Sequence, residues 1–137
     1  MTDRFLLDTC TVLWLVEGAP LSREANVALS SGREKRGLFV SSMSAWEIGI
    51  LISKGRLPTT KDAMYWFEDA MELIGAQTAD VSLQALVASS FLPQPVHNDP
   101  ADRILIATAR ENDLTIITRD RAILSYGVAG HVRTLAC

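Results

Sequence analysis

The chain has 137 residues, of which 48% are hydrophobic and 7% aromatic, and its formal net charge at pH 7 is −3. This length and composition are typical of one globular domain with a sizeable core, and they exclude an intrinsically disordered chain. The acidic balance argues against a broad, non-specific nucleic-acid binder, whose surface is normally basic, although a small basic groove stays compatible with it. We therefore expect residues 1–137 to form a single domain.

The two cysteines, Cys10 and Cys137, are too few for a disulfide framework, and their spacing from the two histidines is not that of a zinc site. The first residues lack the layout of a signal peptide, and the apolar runs are far shorter than the ~20 residues that span a bilayer. We expect a soluble, cytoplasmic protein with no membrane partner.

The apolar periodicity predicts strands that alternate with helices, which is the pattern of an α/β fold with a mainly parallel sheet. The predicted strands are Phe5–Leu7, Leu38–Val40, a short strand within Gly75–Asp80, Leu114–Thr118 and an edge strand within Val128–Leu135. The predicted helices are Val12–Glu17, Arg23–Ser30, Met43–Ser53, Ala63–Ile74, Ser82–Phe91, Asp102–Asn112 and Ala122–Tyr126.

Apolar stripes identify the sides of two helices that we expect to face the core. Between residues 63 and 74 the stripe repeats at helical spacing and comprises Ala63, Trp66, Phe67, Ala70, Met71 and Ile74. Between residues 82 and 91 we expect the inward side chains to be Leu83, Leu86, Val87 and Phe91. Trp46 is interpreted as a core residue or as part of a contact between subunits.

Carboxylates follow two of the predicted strands. Asp8 comes directly after the first strand, and Glu47 lies early in the helix that follows the second. Each also has a purely structural interpretation, because Asp8 suits the N-cap of the next helix and Ser44–Glu47 fits a capping box. Ligands of open parallel sheets bind beyond the carboxyl ends of the strands, so both acids stand where chemistry is usual.

Two further acidic positions repeat this placement. Asp99 is predicted to cap a buried helix whose first residue is Pro100, and Asp102 lies one turn further on the same side. Asp120 follows the strand that ends at Thr118. Acids in the first turn of a helix also suit the helix dipole, so a structural interpretation stays open here as well.

Asp8, Glu47, Asp102 and Asp120 are predicted to meet at one edge of the sheet. Clustered carboxylates repel one another and hold protons unless a cation neutralises them. Oxygen ligands favour a hard divalent ion, so Mg²⁺ or Mn²⁺ fits this cluster better than zinc. Three arginines lie beside these acids in the sequence and are candidates for binding the phosphates of a nucleic acid: Arg103, Arg119 and Arg121.

Four segments together resemble the motifs of PIN-domain proteins, and especially of the VapC-type toxins of toxin–antitoxin systems. The segments are Leu6–Thr9, Ser44–Ile48, His97–Ala107 and Ile117–Asp120. They occur in order with suitable spacing over nearly the whole chain. The resemblance implies a PIN-like three-layer α/β/α fold with a central, mainly parallel twisted sheet.

The resemblance also implies a metal-dependent endoribonuclease that forms a homodimer and is inhibited by a VapB-like antitoxin. Its substrate class is structured RNA, including transfer RNA. The catalytic and metal-binding acids of the family correspond to Asp8, Glu47, Asp102 and Asp120. Auxiliary positions correspond to Thr9, Asp99, Arg103 and Thr118. Cys10 departs from the pattern, since similar sequences often carry His there, and His97 is interpreted as a structural loop residue rather than a metal ligand.

Two other functions are alternatives. A phosphatase of the haloacid-dehalogenase type also begins with an Asp after the first strand, but it needs a second Asp where Cys10 stands and a Lys beyond Lys61, where the chain has none. A PIN-like module that only binds other proteins is the non-enzymatic alternative, and four intact acids weigh against it.

Overall fold

A computed structural model describes residues 3–96 and 98–137, so the interpretation of His97 lies outside the described residues. The strands are β1 (Phe5–Leu7), β2 (Leu38–Ser41), β3 (Gln77–Ala79), β4 (Thr115–Thr118) and β5 (Arg133–Ala136). The helices are α1 (Thr9–Glu17), α2 (Arg23–Glu34), α3 (Ser42–Ser53), α4 (Ala63–Ile74), α5 (Leu83–Ala88), α6 (Pro100–Asn112) and α7 (Arg121–Val128).

The strands form one sheet in the order β3-β2-β1-β4-β5, and each pair of neighbours is parallel. The central strand β1 is in register with both neighbours, with Leu7 opposite Val40 on one side and Ile117 on the other. The carboxyl ends of these three strands therefore lie side by side at one edge of the sheet. This confirms the predicted α/β class with a parallel sheet.

The core has two halves because successive strand residues point to opposite faces of the sheet. Phe5 and Leu7 belong to the half that packs against α1–α4, whereas Leu6 packs with α5, α6 and α7 on the other face. Leu6 and Leu7 are both 0% exposed, as expected for a central strand that is covered on both faces. The predicted three-layer arrangement is thereby confirmed.

The helix α4 confirms one predicted stripe, since Trp66, Phe67, Ala70, Met71 and Ile74 are all buried.

None of the helices in the described ranges is both long and apolar enough to span a membrane.

The prediction for the helix after β3 is wrong in extent and in orientation. Helix α5 ends at Ala88, and Ala85 is the residue that it buries against the core. Leu83, Val87 and Phe91 are 80%, 64% and 79% exposed, respectively. This two-turn helix contacts α6 through a small residue, so its longer side chains lie outside the core. Apolar periodicity alone does not distinguish a helix face that packs in the core from one that is left exposed for a partner.

Trp46 is also 61% exposed, so its interpretation as a core residue is wrong. Helix α3 buries Ser44 and Ile48 instead, which lie on the side of the helix that faces the sheet.

Candidate functional site

Asp8 is the residue at which the strand β1 becomes the helix α1. Its backbone N–H continues the sheet by donating to the carbonyl of Ile117 over 3.1 Å. Its Oδ1 accepts from the backbone N–H of Thr9 at 2.7 Å, and its Oδ2 accepts from the hydroxyl of Thr118 at 2.7 Å. Asp8 is thus the N-cap of α1, as the structural interpretation predicted, while its second oxygen is held by the neighbouring strand.

Thr118 joins Asp8 to Asp120. Its hydroxyl donates to Asp8 and accepts from the backbone N–H of Asp120 at 3.0 Å, and its side chain is 0% exposed. Asp120 in turn caps α7, because its Oδ1 accepts from the N–H of Ile123 at 3.0 Å. A single buried hydroxyl therefore fixes the distance between two of the predicted site acids.

Glu47 is held by a pair of hydroxyl groups. Its Oε1 accepts from the Thr9 hydroxyl at 2.6 Å, and that hydroxyl lies 2.7 Å from the hydroxyl of Ser44. An ionised carboxylate only accepts, so the Thr9 proton points to Glu47 and Ser44 must donate to Thr9. Ser44 is 1% exposed, which makes this chain of two hydroxyls part of the core rather than of the solvated surface.

The capping-box interpretation of Ser44–Glu47 is wrong. Helix α3 is capped by Ser41, whose Oγ accepts from the N–H of Met43 at 3.0 Å, so Ser44 already lies inside the first turn. Glu47 consequently faces Thr9 on α1 instead of its own helix terminus. Ser44 was not among the predicted site residues, although its position three residues before Glu47 places the two on one helix face.

Asp99 and Asp102 lie at the start of α6. Asp99 is the N-cap, its Oδ1 accepts from the N–H groups of Ala101 and Asp102 at 2.9 and 3.3 Å, and Pro100 is the first helical residue. The predicted helix start is thereby confirmed. The negative charge of Asp99 raises the pKa values of both Asp8 and Glu47, which places it within electrostatic range of both acids.

Burial is the main cause of the raised pKa of Asp8, and hydrogen bonds from Thr118 and Thr9 oppose it. The pKa of Glu47 is also raised chiefly by burial, with the Thr9 hydrogen bond opposing it and the charge of Asp8 adding to it. Both carboxylates therefore sit in surroundings that disfavour their negative charge.

The thiol of Cys10 lies within electrostatic range of all four predicted acids. Burial raises the pKa of its thiol, and so do the charges of all four: Asp8, Glu47, Asp102 and Asp120. Each of these carboxylates thus exerts its field on the same sulfur atom from a different element of the fold.

The carboxylate oxygens of the predicted acids suit a hard cation, but they do not complete a metal site by themselves. In residues 3–96 and 98–137, no three His, Cys, Asp or Glu side chains come close enough to form a metal site by themselves. Mg²⁺ commonly uses one or two carboxylates and completes its shell with water and substrate phosphates. Carboxylates whose charge is disfavoured by burial and by each other fit such an ion, because its charge would neutralise theirs.

Two of the predicted RNA-binding arginines lie in different surroundings. The Arg119 guanidinium donates to the carbonyl of Pro20 at 2.7 Å and lies 4.0 Å from the centre of the Trp14 ring. Arg121 is exposed at the first position of α7, directly after Asp120.

A groove of about 710 Å³ lies at the opposite edge of the sheet, where β4 and β5 begin. Arg110, Thr115 and Arg133 line it, and none of the four predicted acids does. The predicted acids are therefore separate from this groove.

The family follows from a comparison of the whole chain with known families. A model of the PIN domain matches residues 5–128, which include the strand ends and helix starts described above. The chain belongs to the PIN-domain family. This confirms the family that the four motifs predicted, and it excludes the haloacid-dehalogenase alternative.

Individual PIN relatives cover nearly the whole chain. Ribonuclease VapC22 from Mycobacterium tuberculosis is 27% identical over 126 residues, which are 92% of this chain and 93% of the relative. A structure of VapBC2 from Rickettsia felis bound to a promoter DNA fragment gives a TM-score of 0.70 at 14% identity and covers 96% of this chain and 97% of that one.

A structure of DNA-bound VapBC from Salmonella typhimurium gives a TM-score of 0.69 at 16% identity, with 97% of each chain covered. At such identities the two structural matches establish a shared fold.

We predict that Asp8→Asn flattens the pH dependence of stability in the absence of divalent ions. A carboxyl whose pKa is raised by folding stabilises the native state below its unfolded pKa of ~3.9 and loses that contribution as the pH rises through the folded value. Asparagine has the same shape without the charge: its amide oxygen can keep the cap, and its amide NH2 group faces the Thr118 oxygen, to which it can donate. Urea unfolding in EDTA between pH 4 and 7 should show the variant gaining stability relative to the wild type as the pH rises, and a constant or opposite difference would contradict this.

We predict that Thr9→Val lowers the free energy of unfolding by about 1–3 kcal/mol, since it leaves Glu47 without a donor and Ser44 without an acceptor. Thr9→Ser should restore most of the loss because it keeps the hydroxyl. Thr108→Val is the matched control, as Thr108 is also buried, on α6, but its hydroxyl donates to the carbonyl of Ile104 in its own helix. Equal stability of the Thr9→Val variant and the wild type in urea would disprove this role for Thr9.

Proposed function

We propose that the protein is an endoribonuclease that hydrolyses RNA phosphodiester bonds, and that it is the toxin of a VapBC-like toxin–antitoxin pair. The observation that carries this proposal is a pair of partly buried acids, Asp8 and Glu47, each held by a threonine hydroxyl. The charges of Asp102 and Asp120 reach the same thiol as theirs, that of Cys10. The relative named as a ribonuclease supports it. A module that only binds proteins has no need to keep two carboxylates in surroundings that raise their pKa values.

The site is proposed to depend on Mg²⁺ or Mn²⁺, held by Asp8, Glu47, Asp102 and Asp120. When bound, such an ion makes water more acidic and offsets the negative charge of the phosphodiester. Thr9 and Thr118 orient Glu47 and Asp8, and Asp99 fixes the start of the helix that carries Asp102.

Arg103 and Arg121 are proposed to bind RNA phosphates, because each follows a site acid directly in the sequence and carries the opposite charge. A local basic rim of this kind accommodates RNA on a protein whose net charge is −3. The RNA substrate is proposed to be structured, with transfer RNA as the first candidate.

We predict that the purified protein cleaves RNA only with a divalent ion and leaves 5′-phosphate and 3′-hydroxyl ends, since water and not the RNA 2′-hydroxyl is the proposed nucleophile. Asp8→Asn and Glu47→Gln should each lower the cleavage rate by roughly 10²-fold or more, because they remove charge without changing shape. Glu68→Gln, on the exposed side of α4, is the control and should keep full activity. Sequencing of the cut ends of transfer RNA is the measurement.

Undiminished cleavage in excess EDTA, or 2′,3′-cyclic phosphate ends, would contradict this mechanism. Full activity of both charge-removing variants would contradict the site.

The chain is further proposed to form a homodimer and to bind a VapB-like antitoxin in the cytoplasm, with residues 1–137 as one PIN-like domain. Similar solved structures are named as VapBC complexes, which supports the antitoxin. The dimer is supported by an apolar patch beside α3 and α5, where Met43, Trp46, Val81 and Leu86 border one open cavity and Trp46 and Leu86 are exposed. Exposed apolar side chains grouped in this way are typical of a protein contact surface.

We predict that light scattering at micromolar concentrations gives the mass of a dimer and that Trp46→Glu or Leu86→Glu gives the mass of a monomer, because a charge in this patch opposes its burial. Leu73→Glu is the matched control, since Leu73 is 65% exposed on α4 and should leave the dimer intact. A wild-type protein that stays monomeric across this range would rule out the homodimer.

A further inference from the structure

Arg119 links two loops that lie next to the acids. It belongs to the turn between β4 and α7, and its guanidinium contacts the connection between α1 and α2 through the carbonyl of Pro20. The same guanidinium stacks on Trp14 of α1, with 4.0 Å between its central carbon and the ring centre. The guanidinium thus donates a hydrogen bond to the α1–α2 connection and places its charge over the ring of Trp14.

The turn that Arg119 occupies carries part of the site on both sides. Thr118 precedes it and holds Asp8, while Asp120 follows it and caps α7. A displacement of this turn would therefore move Asp120 relative to Asp8, because the Thr118 hydroxyl donates to Asp8 and accepts from the backbone N–H of Asp120.

Backbone hydrogen bonds of Cys137, directly after β5, also connect the site turn to the α1–α2 connection. The N–H of Cys137 donates to the carbonyl of Thr118 at 3.1 Å, and the N–H of Ser22 donates to the carbonyl of Cys137 at 3.0 Å. The α1–α2 connection is thereby attached to the site turn by backbone bonds through β5 and by the side chain of Arg119. The side chain of Arg119 spans the two loops directly.

We propose that Arg119 is a positioning residue that holds the Thr118–Asp120 turn against α1, rather than a ligand of RNA phosphates as its sequence position predicted. This inference rests on the proposed function, in that the turn matters because of the acids it carries. Lysine cannot replace arginine in this role, since it has neither the planar face that stacks on Trp14 nor the same fork of N–H groups.

The proposal is tested with Arg119→Ala and Arg119→Lys, with Arg121→Ala as a variant of the proposed phosphate-binding rim and Arg56→Ala as a control at an exposed arginine after α3. Three quantities are measured for each protein: amide hydrogen exchange of residues 118–123 and 18–22, the affinity for Mn²⁺ by calorimetry, and the salt dependence of RNA binding. A thermal melt establishes that each variant is folded at the working temperature.

We predict that both Arg119 variants exchange faster in the two loops and bind Mn²⁺ roughly three- to tenfold more weakly, as expected for the loss of one stacking contact and one hydrogen bond. For both Arg119 variants, the slope of log RNA affinity against log salt concentration should match that of the wild type. Arg121→Ala should instead reduce the slope by about one while keeping the Mn²⁺ affinity. Arg56→Ala should change none of the three quantities.

Restored Mn²⁺ affinity and exchange in Arg119→Lys, or a salt slope reduced by about one in Arg119→Ala, would overturn the proposal in favour of phosphate binding. Unchanged amide hydrogen exchange in Arg119→Ala would also overturn the proposed positioning role, whether or not that variant binds Mn²⁺. A wild-type protein that binds no Mn²⁺ would instead refute the proposed function. If Arg119→Ala does not fold, Trp14→Leu removes the other half of the contact and must give the same faster exchange.

Discussion

The structure depends on a constraint at the end of β1, where a carboxylate is placed at the edge of a buried parallel sheet. Burial raises the pKa of Asp8, so its ionised form is tolerated only with strong hydrogen-bond donors. The backbone of α1 supplies one donor and Thr118 on the adjacent strand supplies the other. The parallel register of β1 and β4 pairs Leu7 with Ile117 and so brings that hydroxyl within reach of Asp8. Asp120 follows Thr118 by two residues, and its backbone N–H donates to the same hydroxyl.

Helix capping and the candidate chemistry use the same side chains. Asp8, Asp99 and Asp120 each cap a helix, and the two aspartates that follow strands do so where those strands leave the sheet. A capping oxygen is fixed by a backbone N–H group, so its partner oxygen has a defined direction without further support. The structural and the functional interpretations of these acids are therefore compatible: the cap orients the carboxylate that the site requires.

The sequence was sufficient to predict the parallel sheet, the cap at Asp8 and the helix start at Pro100, because strand ends and caps are local patterns. Ser44 escaped prediction because its contact with Thr9 joins residues 35 positions apart and depends on how α1 packs against α3. The outward face of α5 escaped because an apolar stripe does not reveal whether the chain itself covers it. The surroundings of Arg119 were not predicted because, as for Ser44, its partners Trp14 and Pro20 are distant in the sequence.

The central claim is that these acids form one centre for a divalent cation. Its most direct test is an anomalous difference map from crystals of the protein grown with Mn²⁺. We expect a Mn²⁺ peak within coordination distance of Asp8 and of at least one of Glu47, Asp102 and Asp120, with Thr118 still bonded to Asp8. A map with no peak at this edge of the sheet, or with its Mn²⁺ peak elsewhere on the protein, would contradict it.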